Sequence, residues 1–338
     1  MPVALKLTHG IPCADVPRLL KWRARTRRGR RVFIPQLTEL KDSIITETEG
    51  GTEPLVNYQD HSVGDSKEDR LRQLFREMSS VLIAFSGGVD STYVAYVANA
   101  ELGDRALCVT GDSASLPQYQ RDQTTRIVEQ FGFRAETIKT DELDHAAYRA
   151  NGPNRCYFCK DELYGKLEPL ARAQNFEFIV DGSNTDDLGD YRPGRVAANE
   201  HRVRSPLIEV GMSKQEVRDF SRRAGLPTWD RPASPCLSSR IAYGIPVTIE
   251  RLAEVDRGEE ILRAMGFREF RVRHHDNLVR LEIAPVEMAQ VLRPEVFSEL
   301  ARRFRELGFQ YVTLDMQGYR SGAMNEVLTS SGNKQMIQ

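Results

Sequence analysis

Cysteine and tryptophan are scarce in this chain, and neither sign of charge is in excess. Five cysteines and two tryptophans stand among 338 residues. A small, odd cysteine count argues against a disulfide framework and suits free thiols or a metal site in a reducing compartment. Lys and Arg number 47 against 48 Asp and Glu, so bulk charge points to no nucleic-acid partner, although a local patch is compatible with it. No apolar run approaches the ~20 residues of a membrane-spanning helix. No stretch joins a basic start, an apolar middle and a small-residue cleavage site, and there is no internal repeat. The expectation is a cytoplasmic protein with no membrane partner. Its 40% hydrophobic and 28% charged residues belong to a soluble globular chain of about two domains.

Residues 1–69 differ in character from the rest of the chain. "KWRARTRRGRR" (21–31) is basic, and "TETEGGTEPLVNYQDHSVGDSKED" (46–69) is acidic, polar and Gly-rich. Neither carries a period that would bury a face, which predicts a disordered extension. An upstream start, a basic nucleic-acid arm and an Arg-rich transit segment are the other readings. Order is expected from about Lys67. Buried, β-rich runs at 81–85, 105–111, 134–140 and 176–182 alternate with helical patterns at 90–103, 118–132 and 160–174. That rhythm predicts an α/β, Rossmann-like parallel sheet over residues 70–240. From 241 to 330 it changes: a helix at 248–267, a hairpin turning at Asp276-Asn277, a helix at 297–309 and a strand at 311–316. These predict a second, smaller α+β domain.

"VLIAFSGGVDSTYVAY" (81–96) is the strongest local signal. A buried strand runs through Ser86, Gly87, Gly88, Val89, Asp90 and Ser91 into a helix. Two glycines bring bare N–H groups to a ligand, the helix N-terminus adds partial positive charge, and Ser86 and Ser91 add hydroxyls. The result is a phosphate nest without the lysine of a Walker loop or the third glycine of the dinucleotide fingerprint. Asp90 is either a magnesium-side carboxylate or a helix cap.

"NRCYFCK" (154–160) and "RPASPCLSSR" (231–240) place Cys156 and Cys159 three apart and Cys236 far downstream, between prolines. Arg240 beside Cys236 would favour a thiolate. Several readings stay open: a zinc site completed by His145 or His201, unrelated core or surface thiols, or three ligands of an iron–sulfur cluster. A thioredoxin-like pair is disfavoured, since Cys156 is not expected to open a helix. Cys108 lies in an apolar strand as a packing residue, and Cys13 lies in the tail.

The loop resembles that of the ATP pyrophosphatase family, to which NAD and GMP synthetases and tRNA thiolases belong. The resemblance implies ATP and Mg²⁺ as cofactors, Ser86 to Ser91 around the leaving pyrophosphate, and Ser113 against the nucleotide. "DDLGDYRPG" (186–194), "SSRIAYG" (238–244), "FRVRHHDNLVRLEI" (270–283) and "YVTLDMQGYRSGAMNE" (311–326) narrow it to one branch. From about Leu71 to Leu328 the chain looks like the LarE branch, sulfur transferases that make the nickel-pincer nucleotide cofactor. This implies a small-molecule substrate, pyridinium-3,5-biscarboxylic acid mononucleotide, and a homo-oligomer whose contacts involve the smaller domain. Some members sacrifice the sulfur of a cysteine near the Cys236 position. Others hold a [4Fe–4S] cluster on a C-x-x-C and this cysteine, and this chain matches the second pattern. Cys236 is then both ligand and catalytic residue. Arg271 and Arg273 alternate on a strand, so they point one way. The resemblance makes them a clamp for the substrate phosphate, with Arg240, Glu282 and Arg320; a solvated charged face is the alternative. A tRNA-thiolating enzyme and a non-catalytic nucleotide or metal sensor are the rival functions.

Overall fold

The computed structural model describes residues 66–189, 192–232, 235–320 and 322–325. Helix α1 (Lys67–Met78) starts where the Ser66 hydroxyl accepts the Asp69 amide at 3.1 Å, one of the orphan donors of a helix start. Its Leu71, Phe75 and Met78 are buried on one face. Strand β1 (Val81–Ala84), helix α2 (Val89–Leu102), β2 (Ala106–Asp112), α3 (Gln118–Phe131) and β3 (Ala135–Lys139) come next. Then come the single turn α4 (Ala146–Arg149), the long α5 (Arg155–Ala173) and β4 (Phe178–Val180). Helices α6 (Gly194–Glu200), α7 (Pro206–Glu209) and α8 (Lys214–Arg223) complete this part.

The sheet order is β3-β2-β1-β4, all parallel, with Ile83 facing Cys108 on one side and Val180 on the other. β1 is buried on both faces, which is why its sequence is uniformly apolar. Val81 and Ile83 pack with Leu71, Phe75 and Val94 of α1 and α2. Leu82 and Ala84 pack with Tyr164 and Leu167 of α5. Helices thus cover both faces, as expected of a Rossmann-like α/β sheet. From β1 the chain steps outward to β2 and β3, then returns to place β4 on the other side of β1. That reversal opens a crevice at the carboxyl end of β1, the general ligand position in such sheets.

Helix α9 (Ile249–Ala264), β5 (Phe270–His275), β6 (Leu278–Ile283), α10 (Met288–Val291), α11 (Pro294–Glu306) and β7 (Tyr311–Leu314) form the second sheet and its cover. The order is β5-β6-β7, antiparallel then parallel. The hairpin turns at Asp276, with φ at 62°. Leu252, Val255, Val272, Leu281 and Phe304 form its core, and Tyr148 and Leu237 are part of it. Phe158 and Cys159 pack against that core.

This last contact accounts for a difference from the sequence pattern. The pattern starts a helix at Lys160, but α5 begins at Arg155 and carries both cysteines in its first turns. Its opening residues face the second core while its later ones face the first sheet, so no single amphipathic period marks its start. Cys156 does therefore sit at a helix start, contrary to expectation. The expectations for residues 1–65, Cys13 included, lie outside the described residues. Among the described residues no helix is long and apolar enough to cross a membrane.

Candidate functional site

Between β1 and α2 the chain turns through Gly87, whose φ is 70°, a left-handed conformation open to glycine at no steric cost. A Cβ there would meet Thr124 Oγ1 of α3 at 2.4 Å, so space as well as conformation requires glycine. Gly88 caps α2 without a side chain. Ser86 and Ser91 face one another, hydroxyl to hydroxyl, at 3.1 Å, and the Ser86 amide donates to Ser91 Oγ at 3.3 Å. Gln120 of α3 braces the loop by donating to the Ser86 carbonyl at 2.7 Å. From β4, Gly182 packs so closely that a Cβ would lie 2.7 Å from the Ser91 amide nitrogen.

Val89 is buried in the first core and anchors the first turn of α2. Asp90, beside it, is no helix cap. It forms an ion pair with Lys214 of α8 and accepts from Asn184 Nδ2 at 3.2 Å. Burial raises its pKa, the Lys214 ammonium opposes that rise, and Asp187 reinforces it.

Ser113 lies just past β2. Its hydroxyl lies 2.8 Å from that of Ser115, which donates to Glu142 Oε1 at 2.7 Å. Glu142 is 1% exposed, and its second oxygen has no hydrogen-bond partner. The Ser115 carbonyl accepts the Leu237 amide at 2.8 Å. This bond ties the Cys236 loop to the strand end beside the phosphate loop.

Cys156 and Cys159 are three residues apart on α5, a spacing that puts them on one face. Cys156 is exposed as a residue, yet desolvation of its sulfur and then Cys236 raise its pKa, while Arg155 and Lys160 pull it down. Cys159 is raised by burial, Cys236 and Glu142, with Lys160 opposing. The three thiols therefore lie within one another's electrostatic reach. Among the described residues, however, no three His, Cys, Asp or Glu side chains form a group able to hold a metal ion. The histidines considered for zinc are engaged elsewhere: His145 with Glu162 at 3.3 Å, and His201 with Glu168 at 2.8 Å and Asp161 at 2.9 Å. Cys108 is a core residue whose thiol burial pushes up to about 12.

Two cations accompany the thiols. Arg155 is 4% exposed, and Cys236 and Cys156 both act on its guanidinium. Lys160 lies 5.4 Å from the Tyr164 ring centre, and its pKa is raised by Tyr164, then, against burial, by Asp181 and Cys159. Arg240, expected to serve Cys236, is only 1% exposed and pairs with buried Glu259 at 2.8 Å. Its remaining contacts hold the carbonyls of Pro235 and Cys236 and the Ser239 hydroxyl.

On β5, Arg271 and Arg273 share a face and are both buried. Arg273 pairs with Glu282 of β6 at 2.9 Å and donates to the Ser239 carbonyl at 3.1 Å, while its Nε has no partner. Arg271 lies 4.6 Å from the Tyr319 ring centre. Burial, then Arg240, lowers its pKa, the mark of crowded positive charge. Arg280 meets Glu282 at 3.0 Å. Arg320, next to Tyr319, donates to Gln317. Thus the loop from Pro235 to Ile241 touches the β2 end through Leu237 and the arginine face through Ser239.

Sequence reasoning missed Lys214, Asn184, Gly182, Ser115, Glu142, Arg155 and Lys160. Only "VDGSN" after a buried strand offered a signal, for Gly182 and Asn184. Lys214 lies 124 residues from Asp90, and no local pattern joins them.

The NAD synthase family pattern matches residues 65–172. An uncharacterised protein of Synechocystis sp. is 47% identical over 78% of this chain and 99% of its own length. The pyridinium-3,5-bisthiocarboxylic acid mononucleotide synthase of Lactiplantibacillus plantarum is 34% identical over 79% of this chain and 96% of its own. An uncharacterised protein of Methanocaldococcus jannaschii is 26% identical over 75% and 96% respectively.

Proposed function

The chain belongs to the family of pyridinium-3,5-bisthiocarboxylic acid mononucleotide synthases, and on that premise we propose that it is an ATP-dependent sulfur transferase acting on pyridinium-3,5-biscarboxylic acid mononucleotide. A carboxylate repels nucleophiles and lacks a good leaving group. Its attack on the α-phosphate of ATP forms an acyl-adenylate and releases pyrophosphate. Ser86, Gly87, Gly88, Val89, Asp90 and Ser91 cradle the leaving group, and Ser113 faces the nucleotide. The donors of this nest stabilise charge as it develops. Magnesium suits the carboxylate of Asp90, which already holds a cation, Lys214; bound there, Mg²⁺ would neutralise phosphate charge.

Sulfide then attacks the acyl carbon and expels AMP. Cys156, Cys159 and Cys236 suit a [4Fe–4S] cluster, which would supply that sulfide. They are mutually close, yet they do not form the convergent group a single ion needs, and a cubane spreads its ligands wider than one ion does. Burial disfavours the thiolate of half-buried Cys159, and a metal reverses this by displacing the proton.

Arg271 and Arg273, with Glu282, Arg280 and Arg320 about them, take the substrate phosphate, while Arg240 braces the Cys236 loop. Residues 70–240 then handle the nucleotide and 241–330 the mononucleotide. A homo-oligomer would cover exposed apolar side chains such as Val286 (91%) and Met316 (83%).

One observation carries this proposal: a single loop bears Cys236 and bonds to Ser115 on one side and Arg273 on the other. The test is pyrophosphate release from ATP by purified protein, with product mass read in parallel. Release dependent on the pyridinium dicarboxylate, with each oxygen-for-sulfur exchange adding about 16 Da, supports it. Release driven instead by tRNA, or no release at all, refutes it.

A further inference from the structure

A buried polar clasp beside the thiols takes no part in adenylation or in the attack of sulfide. Arg155 immediately precedes Cys156, and its Nη1 donates to the Ser238 carbonyl at 2.9 Å and to Asn151 Oδ1. Asn151 is fully buried with φ at 55°, and its Nδ2 faces the carbonyls of Ile241, Ala242 and Ile245 at 3.3, 2.9 and 2.8 Å. Tyr148 and Ser238, both fully buried, meet hydroxyl to hydroxyl at 2.5 Å. The Arg155–Ser238 and Tyr148–Ser238 contacts join the α4–α5 arm, which carries Cys156 and Cys159, to the loop that carries Cys236, and Asn151, held by Arg155, reaches the end of that loop and the residues after it.

We propose that Arg155 is a positioning residue for sulfur transfer, locking the Cys236 loop onto the Cys156–Cys159 arm through Ser238 and Asn151. A guanidinium suits the task because its fixed fork can satisfy two acceptors from one planar group. A buried charge with hydrogen-bonded acceptors also resists the rotation a flexible side chain would allow. Arg155 reaches Ser238, two residues beyond Cys236, from the residue beside Cys156. It therefore sets the separation of the two sulfur-bearing segments through Ser238 and Asn151. The inference rests on the sulfur-transfer reading only for its effect on product; its geometric part is tested separately.

The variants are Arg155→Met, Arg155→Lys and Tyr148→Phe, each in the full chain. Reduced, metal-free protein is treated with diamide, which takes two electrons and two protons from a thiol pair as the disulfide forms, and is itself reduced to the hydrazine. Peptide masses then report the Cys236 cross-link to Cys156 or Cys159. Wild-type protein should form it readily. In Arg155→Met the rate should fall about tenfold or more, the scale of one lost hydrogen bond to a charged group. Thiocarboxylate yield should fall in step, while substrate-dependent pyrophosphate release changes by no more than about threefold on the same scale. Arg155→Lys, which keeps a charged nitrogen with N–H donors, should recover much of the cross-link, and Tyr148→Phe should weaken it in the same direction. Unchanged cross-linking in Arg155→Met would overturn the proposal, as would a parallel loss of pyrophosphate release or no cross-link in wild type. If the wild-type protein makes no thiocarboxylate while the cross-link still depends on Arg155, the functional reading fails and the clasp stands.

Discussion

The amide of Leu237 donates to the carbonyl of Ser115 across 2.8 Å, and this bond joins the two halves of the proposed chemistry. Ser115 stands two residues past Ser113, at the crevice beside the phosphate loop, and Leu237 comes directly after Cys236. On the proposed chemistry, a carboxyl activated over the loop would lie on the side of the protein that bears Cys236. Near-attack geometry of this kind lowers the barrier by removing a bimolecular encounter.

Gly182 is a sharper test of the loop than the loop's own residues. Its missing side chain leaves room for the Ser91 backbone, and a Cβ would approach Ser91 N to 2.7 Å and Ser91 Cα to 3.1 Å. Backbone cannot swing aside, so Gly182→Ala should displace the start of α2. Pyrophosphate release should fall about 100-fold, the scale of a roughly 1 Å misplacement at a reacting centre. Gly189→Ala, with nothing within 4 Å of its Cβ, should leave release unchanged. Initial rates of both variants decide it.

Lys214 opposes the protonation of Asp90 that burial favours. Burial raises the Asp90 pKa and the ammonium opposes that rise, so Lys214→Met should raise it further. A higher carboxyl pKa means that ionisation is reached only at higher pH, so the acid limb of the pH–rate profile should move to higher pH. The Mg-ATP KM should rise about tenfold, the worth of a lost charge-assisted hydrogen bond. Lys214→Arg should restore the profile. An unmoved acid limb in Lys214→Met would separate Asp90 from the rate.

The thiols should divide by function. Serine at Cys156, Cys159 or Cys236 should abolish thiocarboxylate and retain pyrophosphate release, because the two half-reactions use different atoms. Cys108→Ala should leave both intact and cost about 1 kcal/mol, an ordinary core truncation, since that thiol is buried in β2 and held protonated. Product mass spectrometry and thermal unfolding read the two outcomes. Equal loss from Cys108→Ala would break the division.

Arg273 should distinguish mononucleotide from ATP. Its Nη2 is anchored on Glu282 at 2.9 Å, and its Nε is buried with no partner. Arg273→Met should raise the mononucleotide KM about 10- to 100-fold, the range for charge-assisted contacts to phosphate, and leave the ATP KM alone. A substrate lacking its phosphate should be insensitive to the change. Glu282→Gln should destabilise the fold by about 3–5 kcal/mol, because it strips the countercharge from two buried or half-buried arginines.

Much of this protein was legible in the sequence because it is locally encoded. The apolar run of β1, two glycines and a helix start specify a phosphate nest within about a dozen residues, since backbone turn and N–H direction are local properties. The alternation of Arg271 and Arg273 likewise came from the two-residue period of a strand. What the tertiary structure alone decided was which distant groups answer those local ones: Lys214 to Asp90, Arg155 to Ser238, Glu259 to Arg240. Arg240 shows why. Proximity in sequence to Cys236 suggested a charge for the thiol, but desolvation of a guanidinium demands a carboxylate, and the fold supplies Glu259 from α9. The start of α5 escaped the pattern for a related reason, because its first turns pack on one core and the remainder on another. Local sequence set the chemistry available at each point of the chain; burial, which depends on the whole packed molecule, decided which charges and thiols face one another.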